Sequence, residues 1–448
     1  MTRRLSRRSF LALAGASGLS LGPIGGGLPA AEGTAALPGR ALWLRVASRP
    51  KMAVDESVYS RFDKRRCVFS TASGGSLARY VGEEAERAMA DASRLAAGRL
   101  YGRPGFRGRD RALLAAARTV IGSVGGANSA GQGFLKWNAA PPGGEVLPHE
   151  EWRDVSQATR DVKAAARFFG AALVGIAPLD RRHFYTRDLD GKRVEFEAVP
   201  QPYEDGAKRV IPESCENVVV YAVRMSAETV KRAPTALSTA ASNLAYSQLA
   251  MVGGSLAAFI RAMGYVAIPC VNDTAVSIPL AVEAGLGELG RHNRLITPEF
   301  GPMVRLGKLA TNLPLLADRP VDAGIKEFCR NCSKCAEACP SGAIDGASEP
   351  TFQPKGPWNN PGHEAWFEDS VKCYRYTNSL DTMCMICFSV CPFSKKDKAA
   401  IHQIVKATIA SNDLLDGVIR SVDDAFGYGG QKNPDEWWGL DLPIFGLD

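Results

Sequence analysis

The stretch Cys329-Arg330-Asn331-Cys332-Ser333-Lys334-Cys335-Ala336-Glu337-Ala338-Cys339-Pro340 decides how this chain is read. Its spacing, C-x2-C-x2-C-x3-C-P, lets three thiolates of one loop converge on a [4Fe–4S] cube while the fourth reaches a second cluster. Proline's fixed backbone angle suits a first helical turn, so a helix is expected to start at Pro340. A second group, Cys373, Cys384, Cys387 and Cys391, again precedes a proline, Pro392. It keeps the C-x2-C-x3-C-P half of the pattern, with its first cysteine displaced upstream by the insertion Tyr374 to Met383. By the crossover rule, Cys329, Cys332, Cys335 and Cys391 hold one cluster, and Cys339, Cys373, Cys384 and Cys387 the other. Two half-motifs that complete each other argue against zinc sites and structural disulfides. The remaining cysteines, Cys67, Cys215 and Cys270, are scattered. Two clusters in series form an electron wire, and the long upstream chain is where such a wire would end.

At 448 residues the chain exceeds the size at which one core stops growing, so a main domain with smaller units is expected. A content of 46% apolar and 23% charged residues is that of ordinary globular protein. Lys and Arg number 54 against 47 Asp and Glu, but Arg3, Arg4, Arg7 and Arg8 all stand at the very start. Without them the balance is near neutral, with no block of like charges, and no electrostatic footprint for nucleic acid remains. The opening Ser6-Arg7-Arg8-Ser9-Phe10-Leu11, followed by a Gly/Ala-rich apolar run to Ala31, looks like a twin-arginine export signal. That route moves folded proteins, which suits a chain that acquires its clusters in the cytoplasm. No later stretch reaches the roughly 18 uninterrupted apolar residues of a spanning helix. The mature chain is therefore expected to be periplasmic or on the outer face of the cytoplasmic membrane, peripherally attached.

Residues 32–159 are rich in Arg, Gly and Pro, with a helical pattern over Glu83 to Arg99. From Arg160 the periodicity sharpens: Asp161 to Gly170 predicts a helix and Ala171 to Ile176 a buried strand. Residues 181–214 are polar and turn-rich, as an insertion would be. Val218 to Val223 predicts a second strand, about Thr235 to Met263 a long helix, and Tyr265 to Cys270 a third strand. Pro279 to Gly285 resumes a helical pattern. The glycines of Gly285-Leu286-Gly287-Glu288-Leu289-Gly290 do not match the dinucleotide fingerprint and mark backbone that approaches something closely. Strands separated by helices argue for a mixed α/β core ahead of the cluster segment.

Three further stretches, together with the cysteine pattern, carry a family likeness. They are Ile211-Pro212-Glu213-Ser214-Cys215-Glu216-Asn217, Glu283-Ala284-Gly285-Leu286-Gly287, and Ile296-Thr297-Pro298-Glu299-Phe300-Gly301-Pro302-Met303-Val304-Arg305-Leu306. From Arg160 to its end the chain resembles the corrinoid-dependent reductive dehalogenases; residues 32–159 resemble them only loosely. The resemblance implies an α/β (α+β) architecture: a nitroreductase-like cobalamin-binding core beside a bacterial two-[4Fe–4S] ferredoxin-like domain. The domains expected on that basis are a signal at 1–31, an N-terminal unit at 32–159, the core at 160–320, the cluster domain at 321–395 and an extension at 396–448. The resemblance implies cobalamin with its lower base detached; none of His149, His183, His292, His363 or His402 stands in the D-x-H-x-x-G context that supplies a histidine ligand to cobalt in another class.

The implied reaction removes halogen from a small organohalide with two electrons and a proton, through Co(I) cobalamin fed by the clusters. Tyr246, in Asn243-Leu244-Ala245-Tyr246-Ser247, matches the proton donor, Arg305 the cation that stabilises its phenolate, and Asn272 a polar residue of the same pocket. Read alone, Tyr246 would be a core residue with a satisfied hydroxyl, Arg305 a surface salt bridge and Asn272 a turn residue. Ser242, Ser277, Gly287 and Leu306 match corrinoid-contacting positions. Trp358, Trp366 and Tyr376 either line a substrate entrance or pack the core. A small integral-membrane anchor protein and an upstream electron donor are the partners the resemblance implies, with no oligomeric state. Two competing readings are an epoxyqueuosine-reductase-like enzyme, disfavoured by the leader and the neutral charge, and a non-catalytic periplasmic electron carrier, disfavoured by the size of the core.

Overall fold

The computed structural model describes residues 44–47, 52–71, 77–129, 131–140, 154–394 and 430–447. The leader expected at 1–31 and most of the extension expected from 396 lie outside them. Among the described residues, no helix is long and apolar enough to cross a membrane.

The helical pattern near residue 83 becomes α1 (Glu83–Leu100), followed by α2 (Gly108–Ala117). The core then runs α3 (Val155–Phe168), β1 (Leu173–Pro178), β2 (Asn217–Arg224), α4 (Ala236–Ala262), β3 (Ala267–Cys270), α5 (Ser277–Glu283) and β4 (Val304–Thr311). Four strands form one sheet in the order β1-β2-β4-β3, and every neighbouring pair is antiparallel. β2 and β3 therefore point the same way with β4 between them, and α4 is the crossover that joins them.

Side chains alternate across the sheet. Val219, Tyr221 and Val223 pack with Leu249, Leu256 and Ile260 on the α4 face. Val218, Val220 and Ala222 pack with Leu280 and Ala281 on the α5 face. Burial on both faces explains why β1 and β2 read as continuous apolar runs. Helix α4 starts where Thr235 and Ser238 cap each other, the Thr235 Oγ1 accepting from the Ser238 amide and the Thr235 amide donating to Ser238 Oγ. It is covered in turn by the N-terminal residues: Ser247 Oγ donates to the Ala117 carbonyl at 2.7 Å and accepts from the Ile121 amide at 3.2 Å. The described C-terminal residues close the same side, with Trp438 Nε1 donating to Asp110 at 2.7 Å and Trp437 Nε1 to Thr229 at 2.9 Å.

The cluster segment contains α6 (Ile325–Asn331), α7 (Ser370–Asn378) and α8 (Ile386–Val390). The buried Glu288 carboxylate accepts the Ala323, Ile325 and Lys326 amides at the start of α6. Arg291, also buried, donates to the carbonyls of Cys329 at 2.5 Å, Cys332 at 3.0 Å and Asp345 at 2.9 Å.

Three expectations change. No helix starts at Pro340; the chain turns instead, with the Gly342 amide donating to the Cys339 carbonyl at 3.1 Å and Gly342 at φ +61°. Residues 181–214 contain a three-stranded sheet, ordered Arg193–Glu197, Lys208–Pro212, Tyr203–Glu204. Its charged outward residues, such as Arg193 and Glu195 paired at 3.0 Å, hid the strands. β4, the inner strand, was not expected as a strand at all, because Arg305 and Lys308 interrupt its apolar run.

At the sheet's centre Tyr221 lies opposite Gly307, and its hydroxyl donates to the Leu249 carbonyl of α4 at 3.1 Å. A Cβ added at Gly307 would stand 2.3 Å from the Tyr221 ring. That ring is fully buried and cannot move aside cheaply. Gly307→Ala is expected to lower stability by about 1–3 kcal/mol, read as a lower urea midpoint with an unchanged slope.

Candidate functional site

Tyr246 projects from the middle of α4, Asn272 from the loop after β3 and Arg305 from β4. The fold brings the three together. Asn272 Nδ2 donates to the Tyr246 hydroxyl at 2.9 Å, and the Arg305 guanidinium lies over the Tyr246 ring, 5.3 Å from its centroid. Arg305 also lies 5.2 Å from the ring centroid of Phe388, the residue that follows Cys387. Arg305 Nη2 and Nε donate to Ser242 Oγ at 2.8 and 3.2 Å. Burial pushes the Arg305 pKa down, with Tyr246 opposing that shift. The Tyr246 hydroxyl thus lies between an amide donor and a buried cation.

The loop carrying Asn272 is clamped by two buried lysines. Lys308 Nζ, on β4, donates to the carbonyls of Val271 and Ala275 and, at 2.8 Å, to Ser277 Oγ. Lys64 Nζ donates to the Asn272 carbonyl at 2.6 Å. Both lysines were missed in the sequence. A lysine inside an otherwise apolar strand is the signal that could have found Lys308; Lys64 offers none.

Of the positions matched to corrinoid contacts, Ser242 serves Arg305 and Ser277 serves Lys308. Gly287 packs on backbone, since a Cβ there would meet the Ile296 carbonyl at 2.2 Å. Leu306 is buried on the α5 face. Next to them opens a cavity of about 180 Å³, walled by Tyr59, Tyr185, Arg294, Trp358, His363 and Phe367 among others. Val276, Ile278 and Leu289, the neighbours of Ser277 and Gly287, also line it. Trp366 is buried elsewhere, its Nε1 donating to Ala347 at 2.9 Å, and Tyr376 is half-buried on α7. Two buried polar atoms of the cavity wall, Trp358 Nε1 and His363 Nδ1, have no partner. Buried donors without acceptors fit a bound group rimmed with oxygen acceptors, as the carboxamides of a corrinoid are.

The eight motif cysteines act on one another both within and between the two expected sets. The Cys335 thiol is pushed up by burial and then by Cys329, Cys391, Cys387 and Cys332; Cys391 responds likewise to Cys329, Cys332 and Cys387. In the other set burial pushes Cys384 up to about 11, with Cys339 adding to it, and Cys387 up to about 12, with Cys384 and Cys339 adding and Arg294 opposing. Cys339 moves the other way. Burial works against it, but the Ser341 hydroxyl and the Ala343, Ile344 and Ser341 amides hold it below the usual thiol range. The turn at Pro340 builds that nest. Cys215 and Cys270 are core thiols pushed up to about 12, first of all by burial, which keeps them neutral and inert.

A four-stranded antiparallel sheet packed against helices, with a buried tyrosine–arginine site and joined to a segment with eight motif cysteines, defines an iron–sulfur oxidoreductase architecture. Residues 179–315 match the reductive dehalogenase subunit family, and residues 328–394 match the 4Fe-4S double cluster binding domain. The chain is 39% identical over 324 residues to a tetrachloroethene reductive dehalogenase of Sulfurospirillum multivorans, covering 69% of this chain and 64% of that one. It is 34% identical over 318 residues to the tetrachloroethene reductive dehalogenase of Desulfitobacterium hafniense, covering 64% of this chain and 57% of that one. A solved catabolic reductive dehalogenase aligns with a TM-score of 0.64 at 25% identity, over 91% of this chain and 53% of the other. The chain thus spans less than two thirds of the length of these relatives. Residues 179–315 are of the reductive dehalogenase family, and residues 328–394 carry two [4Fe–4S] cluster sites.

Two outcomes follow. Cys335→Ser and Cys391→Ser should leave the same single-cluster EPR spectrum with about half the iron. Cys339→Ser and Cys384→Ser should share the other spectrum, and any other pairing contradicts the crossover. The second concerns acid. Burial, then Arg294, pushes His292 down to about 3, and burial pushes His363 down to about 4, against about 6.5 in the unfolded chain. Both imidazoles are buried neutral, so their contribution is fully present above pH 6.5 and is lost as pH falls. Each should lose about 2 kcal/mol between pH 6.5 and 5, and His292→Phe, which keeps the stack on Phe388, should flatten the fall in urea midpoint over that range.

Proposed function

We propose that the protein is a reductive dehalogenase that converts a small organohalide, two electrons and a proton into the hydrogen-substituted product and halide. The observation that carries this reading is the Tyr246 hydroxyl, held by Asn272 and set beside the buried Arg305 at the edge of the cluster segment. The clusters deliver electrons singly, and cobalamin, when bound, supplies the reduced metal centre at which the carbon–halogen bond is cleaved.

The chain's own residues supply the rest. Tyr246 gives its proton from Oη to the substrate carbon. Arg305 and the Asn272 amide then face the phenolate that remains. They are fixed before the reaction, by Ser242 and by the two lysines, so little reorganisation accompanies the charge as it develops. Trp358 Nε1, His363 Nδ1 and Arg294 on the cavity wall would hold the corrinoid's polar rim. The twin-arginine leader fits export of the loaded protein, followed by peripheral attachment through a small membrane anchor and reduction by an upstream donor.

Anaerobic reconstitution with iron, sulfide and cobalamin, followed by a panel of organohalides, should give halide release from the wild-type chain. Tyr246→Phe should retain iron and corrinoid and lose about 100-fold or more of turnover. Undiminished turnover in that variant would sink the assignment.

A further inference from the structure

Glu283, the last residue of α5, begins a hydrogen-bonded chain that runs to the cavity wall. Its Oε1 lies 2.9 Å from His183 Nε2, and His183 Nδ1 lies 2.9 Å from the Tyr59 hydroxyl. His183 and Tyr59 are both buried, and Tyr59 lines the cavity. Asp180 stands farther off, 3.9 Å from His183 Nε2, and is held by Arg182 at 2.6 Å. A carboxylate can only accept, so the hydrogen between Glu283 and His183 belongs to Nε2. A neutral imidazole with its hydrogen on Nε2 offers Nδ1 as an acceptor, and Tyr59 is then the donor. Burial, then Glu283 and Asp180, push the Tyr59 phenol well above its usual range against Arg182, so the proton stays on Tyr59 and points at His183. The consequence falls on the cavity. With its one hydrogen committed to His183, Tyr59 Oη has only lone pairs left to offer there. Trp358 Nε1, on the same wall, is the opposite: a buried donor with no partner.

We infer that Tyr59, oriented by His183 and Glu283, accepts a hydrogen bond from a corrinoid carboxamide and makes the cavity select amidated side arms over carboxylate ones. The inference rests on the reading of this cavity as a corrinoid site. A cavity of about 180 Å³, below the range that encloses a drug-sized ligand, takes side arms rather than a whole macrocycle. A carboxamide presents an N–H and a C=O on one small group, which an acceptor and a donor on one wall complement. A carboxylate would satisfy Trp358 Nε1 but bring no hydrogen to Tyr59. The buried oxygen would then lose its partner, and a site built to receive a hydrogen bond rejects the analogue that lacks it. Glu283 and His183 touch no part of the arm; they are positioning residues that decide which way the Tyr59 hydroxyl turns.

The experiment is a spectrophotometric binding titration of the full chain with both clusters, at pH 8, where a free imidazole is neutral. The probes are cobinamide, whose side arms are amides, and cobyrinic acid, whose arms are carboxylates. Tyr59→Phe should bind cobinamide about tenfold more weakly than the wild type and leave the affinity for cobyrinic acid in place. In Glu283→Gln the new side-chain amide can donate to His183 Nε2, which moves the imidazole hydrogen to Nδ1 and frees the Tyr59 hydroxyl to donate into the cavity. That variant should bind cobyrinic acid about tenfold more tightly than the wild type. A Tyr59→Phe variant that weakens both corrinoids alike would show a packing role and overturn the inference, as would one that changes neither. So would a Glu283→Gln variant whose affinity for cobyrinic acid is unchanged or lower. A wild-type chain that binds neither probe overturns the corrinoid reading of the cavity along with the inference. One that binds both, with variants that do not discriminate, overturns the inference alone.

Discussion

The rest of the site depends on burying a guanidinium in the inner strand of a sheet that is covered on both faces. An unpaired buried cation costs several kcal/mol, and a carboxylate partner would cancel its value to a phenolate. The structure solves this without an acid. Ser242, from α4, accepts two of the Arg305 donors, and the Arg305 charge lies over the rings of Tyr246 and Phe388. The helix that supplies the tyrosine therefore also supplies the anchor of the arginine, one helical turn earlier. Tyrosine and cation cannot drift apart without breaking both contacts. The same strand repeats the device three residues on, where burial, opposed by Cys270 and Asp273, brings Lys308 down to about 8 and its three acceptors all come from residues 271–277.

This device also explains what was and was not legible in the sequence. Cysteine spacing is a local pattern, which is why the two-cluster segment could be read without the fold. Helix α4 was legible for a related reason, since a 27-residue apolar run with a Thr-x-x-Ser start has few other outcomes. β4 was illegible because its charges serve the site. Hydrophobic periodicity assumes that buried means apolar, and Val304–Thr311 is buried along its whole length while carrying Arg305 and Lys308. The small sheet within residues 181–214 failed for the opposite reason: ion pairs satisfy its polar face, so its strands carry few apolar residues. The family likeness supplied Tyr246, Arg305 and Asn272, which composition and spacing would have left as a core tyrosine, an exposed ion pair and a turn.

The displaced Cys373 is the one irregularity in the cysteine pattern, and the structure gives the intervening residues a task. Tyr374 to Met383 carry the chain from α7 across to the core. There the Met383 amide donates to Thr239 Oγ1 at 3.0 Å on α4, one turn before Ser242, whose hydroxyl lies 3.8 Å from the Met383 sulfur. Asp381 pairs with Arg111 at 2.9 Å and accepts from Ser93 at 3.1 Å, so both N-terminal helices grip the same excursion. A compact ferredoxin loop without these residues would place its cysteines correctly for a cluster and leave them unattached to Tyr246 and Arg305. Electron transfer between centres needs a fixed separation, and proton transfer needs a fixed donor. The insertion meets both needs at one point, because the residue it delivers to α4 leads directly into Cys384 and, four residues beyond that, the ring of Phe388 beneath Arg305.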